Sequence, residues 1–142
     1  MALLIKYGAD INLTDPIGCT PLSGSIIKDN VEIIDLLITN GANPNLLDGT
    51  GRSPLFRAII LKSLKIVTLL IEKGANMNAL DADGYSPFHK AVQSEDANIL
   101  KYFIQNRANL KAKTIDGDNA LELALKSKKQ YAIKLLIQKK IQ

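Results

Sequence analysis

The chain has 142 residues, a net charge of +4, one cysteine, one histidine and no tryptophan. Aromatic residues are 5% against 46% hydrophobic, which makes the core aliphatic and argues against a large aromatic ligand cage. One thiol cannot form an internal disulfide, which fits a reducing compartment, and no apolar run approaches the roughly 18 residues of a membrane-spanning helix. The charge is uneven: residues 101–142 carry +7 and the first hundred −3.

Met1 to Lys6 reads as the latter part of a helix ended by Gly8. It lacks a first-helix partner, so either the chain is part of a longer array or Leu3, Leu4 and Ile5 have another cover. It has neither the charged start nor the apolar length of a signal peptide. Asp15-Pro16-Ile17-Gly18 is turn chemistry: Asp bonds nearby backbone, Pro presets φ and Gly supplies φ > 0. Thr20 then caps a short helix with Pro21 at its first position, where the missing N–H costs nothing. Leu22, Ser25 and Ile26 face inward. Asp29-Asn30 breaks that helix and caps the next, whose Val31, Ile33, Ile34, Leu37 and Ile38 form an apolar stripe at i, i+3, i+4 spacing. Gly41 suits the left-handed residue past a helix end.

The same succession recurs three times. Ser53, Pro54, Leu55, Ala58, Ile59, Ile66, Val67, Leu70 and Ile71 form the next apolar set. Ser86, Pro87, Phe88, Ala91, Val92, Ile99, Leu100 and Phe103 form the third, and Leu121, Ala124, Leu125, Ile133, Leu136 and Ile137 the fourth. Small residues at 25, 58, 91 and 124 let stacked helices approach closely. Helices are expected near 21–28, 31–39, 54–61, 64–72, 87–94, 97–105, 120–127 and 130–139.

Two motif ladders share one period. Gly18, Gly51, Gly84 and Gly117 stand 33 residues apart, opening Gly-Cys-Thr-Pro-Leu, Gly-Arg-Ser-Pro-Leu, Gly-Tyr-Ser-Pro-Phe-His-Lys-Ala and Gly-Asp-Asn-Ala-Leu. Gly8-Ala9-Asp10, Gly41-Ala42-Asn43, Gly74-Ala75-Asn76 and Arg107-Ala108-Asn109 keep the same interval. A fixed period of this length signals stacked supersecondary units, each burying its apolar face against its neighbours.

On these ladders the chain resembles the ankyrin-repeat family over nearly its whole length. The resemblance implies an all-α solenoid of stacked helix pairs with β-hairpin-like loops, forming a single domain. Its parts are a partial repeat at 1–14, full repeats at 15–47, 48–80 and 81–113, and a C-terminal capping repeat at 114–142. The family usually has glycine between its two helices. Here that slot holds Asp29, Lys62, Glu95 and Lys128, so the turn is expected to be made without glycine, with slightly lengthened helices. Arg107 likewise replaces glycine at a helix end, where a left-handed residue costs about 1 kcal/mol.

The resemblance further implies a non-catalytic protein–protein interaction module, without cofactor or metal, acting as an intracellular and cytoplasmic scaffold. Its concave surface is lined by hairpin tips and the exposed ends of first helices. Carried over by register, that surface takes Ile17, Ile27 and Lys28 from the first full repeat and Arg52, Ile60 and Leu61 from the second. From the third it takes Asp83, Tyr85, Gln93 and Ser94. Ile27, Ile60 and Leu61 are apolar where water is expected, and Tyr and Arg are types enriched at binding hot spots. The partner expected is a protein and not a membrane, with the chain itself a monomer that could make contacts through its N-terminal half repeat. The alternative reading is a targeting or regulatory fragment of a larger protein.

Catalytic chemistry finds little support. His89 is the only histidine and lacks the partners that catalysis or zinc binding requires; in the family its slot is structural, with Ser86 as partner. Cys19 has no nearby base and is expected to be exposed at a hairpin. Asp81-Ala82-Asp83-Gly84 resembles the start of a calcium loop, but the twelfth position from Asp81 is Val92 and not glutamate. The lysines of the last repeat could contact nucleic-acid phosphates. Spread over two helices, with no arginine among Lys126, Lys128, Lys129, Lys139 and Lys140, they read instead as a solvated capping face.

Overall fold

The computed structural model describes residues 6–106 and 108–141. The helix remnant expected over residues 1–6, apart from Lys6, and the helix end expected at Arg107 lie outside the described residues. Among those described, eight helices account for the regular structure, with one isolated antiparallel bridge between Lys113 and Asn119. The chain divides into two compact units, Met1–Ala75 and Asn76–Gln142.

The first unit contains α1 (Pro21–Ile27), α2 (Val31–Thr39), α3 (Pro54–Ile60) and α4 (Leu64–Glu72). Their N-termini follow the capping chemistry of the sequence. Thr20 Oγ1 accepts from the Ser23 N–H at 3.1 Å, and the Ser23 hydroxyl oxygen accepts the Thr20 N–H at 2.9 Å, so two otherwise orphaned donors are satisfied reciprocally. Ser53 caps α3 through the Phe56 N–H at 3.3 Å, but the reciprocal bond is missing because Phe56 has no acceptor to return. Asn30 Oδ1 caps α2 at the Ile33 N–H, 3.1 Å away. The C-termini close the same way twice. Gly41 and Gly74 take φ of 97° and 93°, and the next alanine N–H donates back to the Leu37 or Leu70 carbonyl at 2.9 Å. Ala42 and Ala75 are thereby tucked into the interior.

Within this unit α1 packs on α2 and α3, and α4 packs on α3 and α2. Leu22, Ile26, Ile34, Leu37, Leu55, Ile59, Ile66 and Leu70 are fully buried. So is Phe56, which the sequence pattern did not single out. Asparagines stitch the loops together: the Asn12 amide donates to the Gly41 carbonyl (3.3 Å) and accepts from the Asn43 N–H (2.8 Å). Asn45 donates likewise to the Gly74 carbonyl at 3.2 Å.

The second unit contains α5 (Pro87–Ser94), α6 (Ala97–Gln105), α7 (Ala120–Lys126) and α8 (Gln130–Ile141). Phe88, Ala91, Val92, Ile99, Leu100 and Phe103 are buried, and the Phe88 and Phe103 rings pack with centroids 6.3 Å apart. The last repeat departs from the expected core. Leu125 and Ile137 are exposed and Leu121 is half-buried, while Leu123 and Ala132, not expected, are buried. Leu125 stands 33 residues after the buried Val92. The difference is neighbours: α5 has α7 stacked on it, whereas the main helix neighbours of α7 are α5 and α8.

The turns between paired helices also differ from expectation. The helices are not lengthened. Instead Asp29, Lys62, Glu95 and Lys128 each take left-handed φ of 52° to 60°, one in each repeat. One strained residue costs about 1–2 kcal/mol; after three of them the next N–H returns to the first helix, Asn30 to Ser25, Ser63 to Ala58 and Lys129 to Ala124, at 2.9–3.1 Å.

Candidate partner-recognition surface

The loops that precede each first helix are built alike. The residue at the turn start both accepts and donates across it. In the first, Gly18 N–H bonds the Asp15 carbonyl at 2.9 Å and the Asp15 N–H bonds the Cys19 carbonyl at 3.0 Å. The same pair of bonds recurs at Asp48, Asp81 and Thr114, over 2.8–3.0 Å. Side chains reinforce it: Asp15 Oδ1 accepts from Ile17 and Cys19, Asp81 Oδ1 from Asp83 and Tyr85, and Thr114 Oγ1 from Asp118.

Adjacent tips touch where their residues are small enough. The Gly49 N–H donates to the Gly18 carbonyl at 3.0 Å. A Cβ at Gly49 would stand 2.0 Å from the Ile17 carbonyl oxygen, so only glycine fits that approach. The turn ladder foretold Gly18 but not Gly49, whose slot in the other repeats holds Pro16, Ala82 and Ile115.

Asp48 is the most elaborated of the turn residues. It is buried, and its carboxylate accepts from the Thr50 N–H (2.7 Å), the Thr50 hydroxyl (2.6 Å), the Arg52 N–H (3.3 Å) and the Arg57 guanidinium. Burial alone would raise its pKa, but the hydrogen bonds from Thr50 and Arg57 outweigh burial and hold it below the ordinary aspartate value. Nothing in the sequence pattern marked this ion pair, because Arg57 occupies a slot held by Gly24, Lys90 and Leu123 elsewhere.

In the second unit the corresponding polar anchor is His89. It is fully buried, as the lone-histidine reading required of a structural residue. Nδ1 lies 3.2 Å from the Ser86 N–H and accepts it, which leaves Nε2–H to donate to the Ala112 carbonyl at 3.0 Å. Burial lowers its pKa below the ordinary histidine value, partly offset by the bond to Ala112. The imidazole is therefore a neutral strut between a helix start and the following loop.

Of the residues expected on the binding face, the first unit places Ile17, Ile27, Ile60 and Leu61 in solvent at 75%, 50%, 43% and 47% exposure. Lys28 is exposed and Arg52 half-buried. Ile27 and Ile60 are the last residues of α1 and α3, and Leu61 caps α3. In the second unit Asp83 is exposed, while Tyr85, Gln93 and Ser94 are half-buried. Tyr85 packs edge-on against the His89 ring at 6.3 Å and lies 5.7 Å beneath the Lys90 ammonium. The Ser94 hydroxyl is spent locally, donating to the Ala91 carbonyl at 2.9 Å.

Cys19, expected to be exposed, is half-buried. Lys126 pairs with Asp118 at 2.6 Å; that hydrogen bond raises its pKa. Lys129 pairs with Glu95 at 2.7 Å. Among the described residues no three His, Cys, Asp or Glu side chains gather as a metal site would need, and no helix is long and apolar enough to cross a membrane.

Paired helices at a fixed 33-residue interval, with capped turns before each pair, define a helical repeat protein. The profile of the family described as ankyrin repeats, in three copies, matches residues 1–81 and 65–142, so the chain belongs to the ankyrin-repeat family. The fold is all-α, and ankyrin repeats are in general protein–protein interaction modules, typically non-catalytic. No curated protein matches the chain.

Proposed function

We propose that this chain recognises a partner protein through its turn tips and the C-terminal ends of its first helices, without catalysis of its own. The observation that carries the reading is the exposure of Ile27, Ile60 and Leu61 at the ends of α1 and α3. Three large aliphatic side chains in water gain roughly 25 cal/mol per Å² when a partner covers them. Ile17, Lys28 and Arg52 supply further apolar surface and a cationic rim in the same unit; Asp83, Tyr85, Gln93 and Ser94 are the contributions proposed from the second. Pairing of Lys126 with Asp118 and of Lys129 with Glu95 favours a protein partner over nucleic acid, since those ammoniums are already matched. The lone cysteine suits an intracellular, reducing location, which is part of the same proposal.

The double variant Ile60→Ser/Leu61→Ser tests it. It should keep helical content and melting cooperativity while losing proteins that the wild-type chain captures in a pull-down. An unfolded variant would place both residues in the core. A folded variant that captures the same proteins would move recognition to another face.

A further inference from the structure

The ends of α1 and α3 carry more than exposed aliphatic surface. Ile27 and Ile60 stand 33 residues apart on two helices that pack together, and Lys28 and Leu61 repeat that relation one position on. In-register positions on packed helices lie roughly 8–10 Å apart, so the four side chains form one continuous strip. Its exposure owes nothing to a chain end: α3 has a helix pair before it and helix pairs after it in the chain, and Ile60 and Leu61 still stand 43% and 47% in solvent. The same slots in the second unit hold Gln93, Ser94, Lys126 and Ser127, all polar.

The carboxylates of this face are turned to the protein's own donors. Asp15 Oδ1 accepts from the Ile17 and Cys19 N–H groups, Asp48 takes its bonds from Thr50, Arg52 and Arg57, and Asp29 Oδ1 accepts from the Ser63 hydroxyl at 3.1 Å. The cations Lys28, Arg52 and Lys62 have no such match: none of the three stands in an ion pair among the described residues. Lys28 and Lys62 are exposed, Lys28 following Ile27 and Lys62 following Leu61. In the Ile27 slot of the last helix pair, by contrast, Lys126 is answered by Asp118 at 2.6 Å.

We propose that this strip binds an acidic segment of the partner protein, one whose carboxylates flank aliphatic side chains. The inference rests on the reading that this face recognises a protein, and adds the partner's chemistry to it. The aliphatic side chains cover Ile27, Ile60 and Leu61 and take them out of water. The carboxylates meet Lys28, Arg52 and Lys62, whose N–H groups gain charge-assisted hydrogen bonds; a basic segment is repelled by the same three. Nucleic acid fits less well, because a base gains by stacking on an aromatic ring and the large apolar side chains of the strip are aliphatic.

The test uses the whole chain with labelled isoleucine and leucine methyls and three ten-residue peptides. The first has aspartate and glutamate around a central pair of leucines, the second has lysines in place of the acids, and the third has glycines in place of the leucines. The first should bind saturably at low salt and shift the methyls of Ile27, Ile60 and Leu61. Lys28→Glu/Lys62→Glu should weaken it by about tenfold or more and turn the preference toward the lysine peptide. The turn should accept that change, because Glu95 already holds the Lys62 slot at φ of 60°; should the variant fail to fold, the three peptides decide the matter on the wild-type chain. Equal binding of the lysine peptide at these methyls overturns the acidic partner and leaves the recognition face standing. Equal binding of the glycine peptide reduces the strip to diffuse charge and overturns it too. Tighter binding of an oligothymidine at these methyls overturns both the chemistry and the protein reading. Shifts confined to other residues, or none, overturn the proposal, and the face itself falls with it only if Ile60→Ser/Leu61→Ser captures the same proteins as the wild-type chain.

Discussion

The two units hold their loops with opposite kinds of buried polar group. The first unit buries an ion, Asp48, under bonds from Thr50, Arg52 and Arg57. The second buries a neutral ring, His89, between the Ser86 N–H and the Ala112 carbonyl. The backbone problem is the same in both, a loop that must be fastened to the start of a first helix. A carboxylate can satisfy many donors at one point, but it needs a cation beside it to stay ionised out of water. An imidazole reaches farther with one donor and one acceptor, and it needs no counter-charge provided it stays neutral. At the slot of His89 the first unit has Phe56, so its α3 gives up the reciprocal cap and fills the space with apolar surface instead.

Breaking each anchor should separate the two. The largest loss is expected from Asp48→Ala, about 3 kcal/mol, because Arg57 and three other donors lose their acceptor together. His89→Ala should lose about 2 kcal/mol, from one orphaned carbonyl and one orphaned N–H. Urea unfolding measures both losses, and amide exchange should assign the first to residues of the first unit and the second to residues of the second.

Acid sharpens the contrast. The His89 pKa is lowered in the folded chain, so the unfolded chain binds the proton first and stability falls once pH drops below about 6.5, the ordinary histidine value. The Asp48 pKa is lowered too, so its contribution is intact above about 3.8 and is lost as pH falls below that. Amide protection followed from pH 7 to pH 3 should therefore weaken first in the second unit. Loss of protection in the first unit at pH 6 would contradict the assignment. In His89→Phe the step below 6.5 should vanish.

The smallest effect should be alike in both units. Lys62→Gly and Lys128→Gly each relieve a left-handed residue and should stabilise by about 0.5–1 kcal/mol, read as a rise in melting temperature. A gain at one site and not the other would show that the turns, though equal in φ, are held by different neighbours.

The 33-residue ladders were enough to locate the helix pairs, since glycine, proline and a hydroxyl cap at fixed spacing act within a few residues of themselves. Helix starts at Pro21, Pro54 and Pro87 follow from Thr20, Ser53 and Ser86 alone. The candidate face was legible in the same way, because the ends of α1 and α3 are set by that register. What local chemistry could not announce was anything decided between repeats. Asp48 reads as one more turn residue until Arg57 is folded over it. Gly49 looks dispensable until the Gly18 tip meets it. Leu125 repeats the pattern of the buried Val92 yet lies in solvent, since burial belongs to the neighbour that covers a residue and not to the residue. Leu121 makes the same point: the sequence by itself determined a helix pair there, and only the tertiary structure decided that Leu121 is half-buried where Leu22, Leu55 and Phe88 in the same slot are buried, because coverage is set by neighbours and not by register.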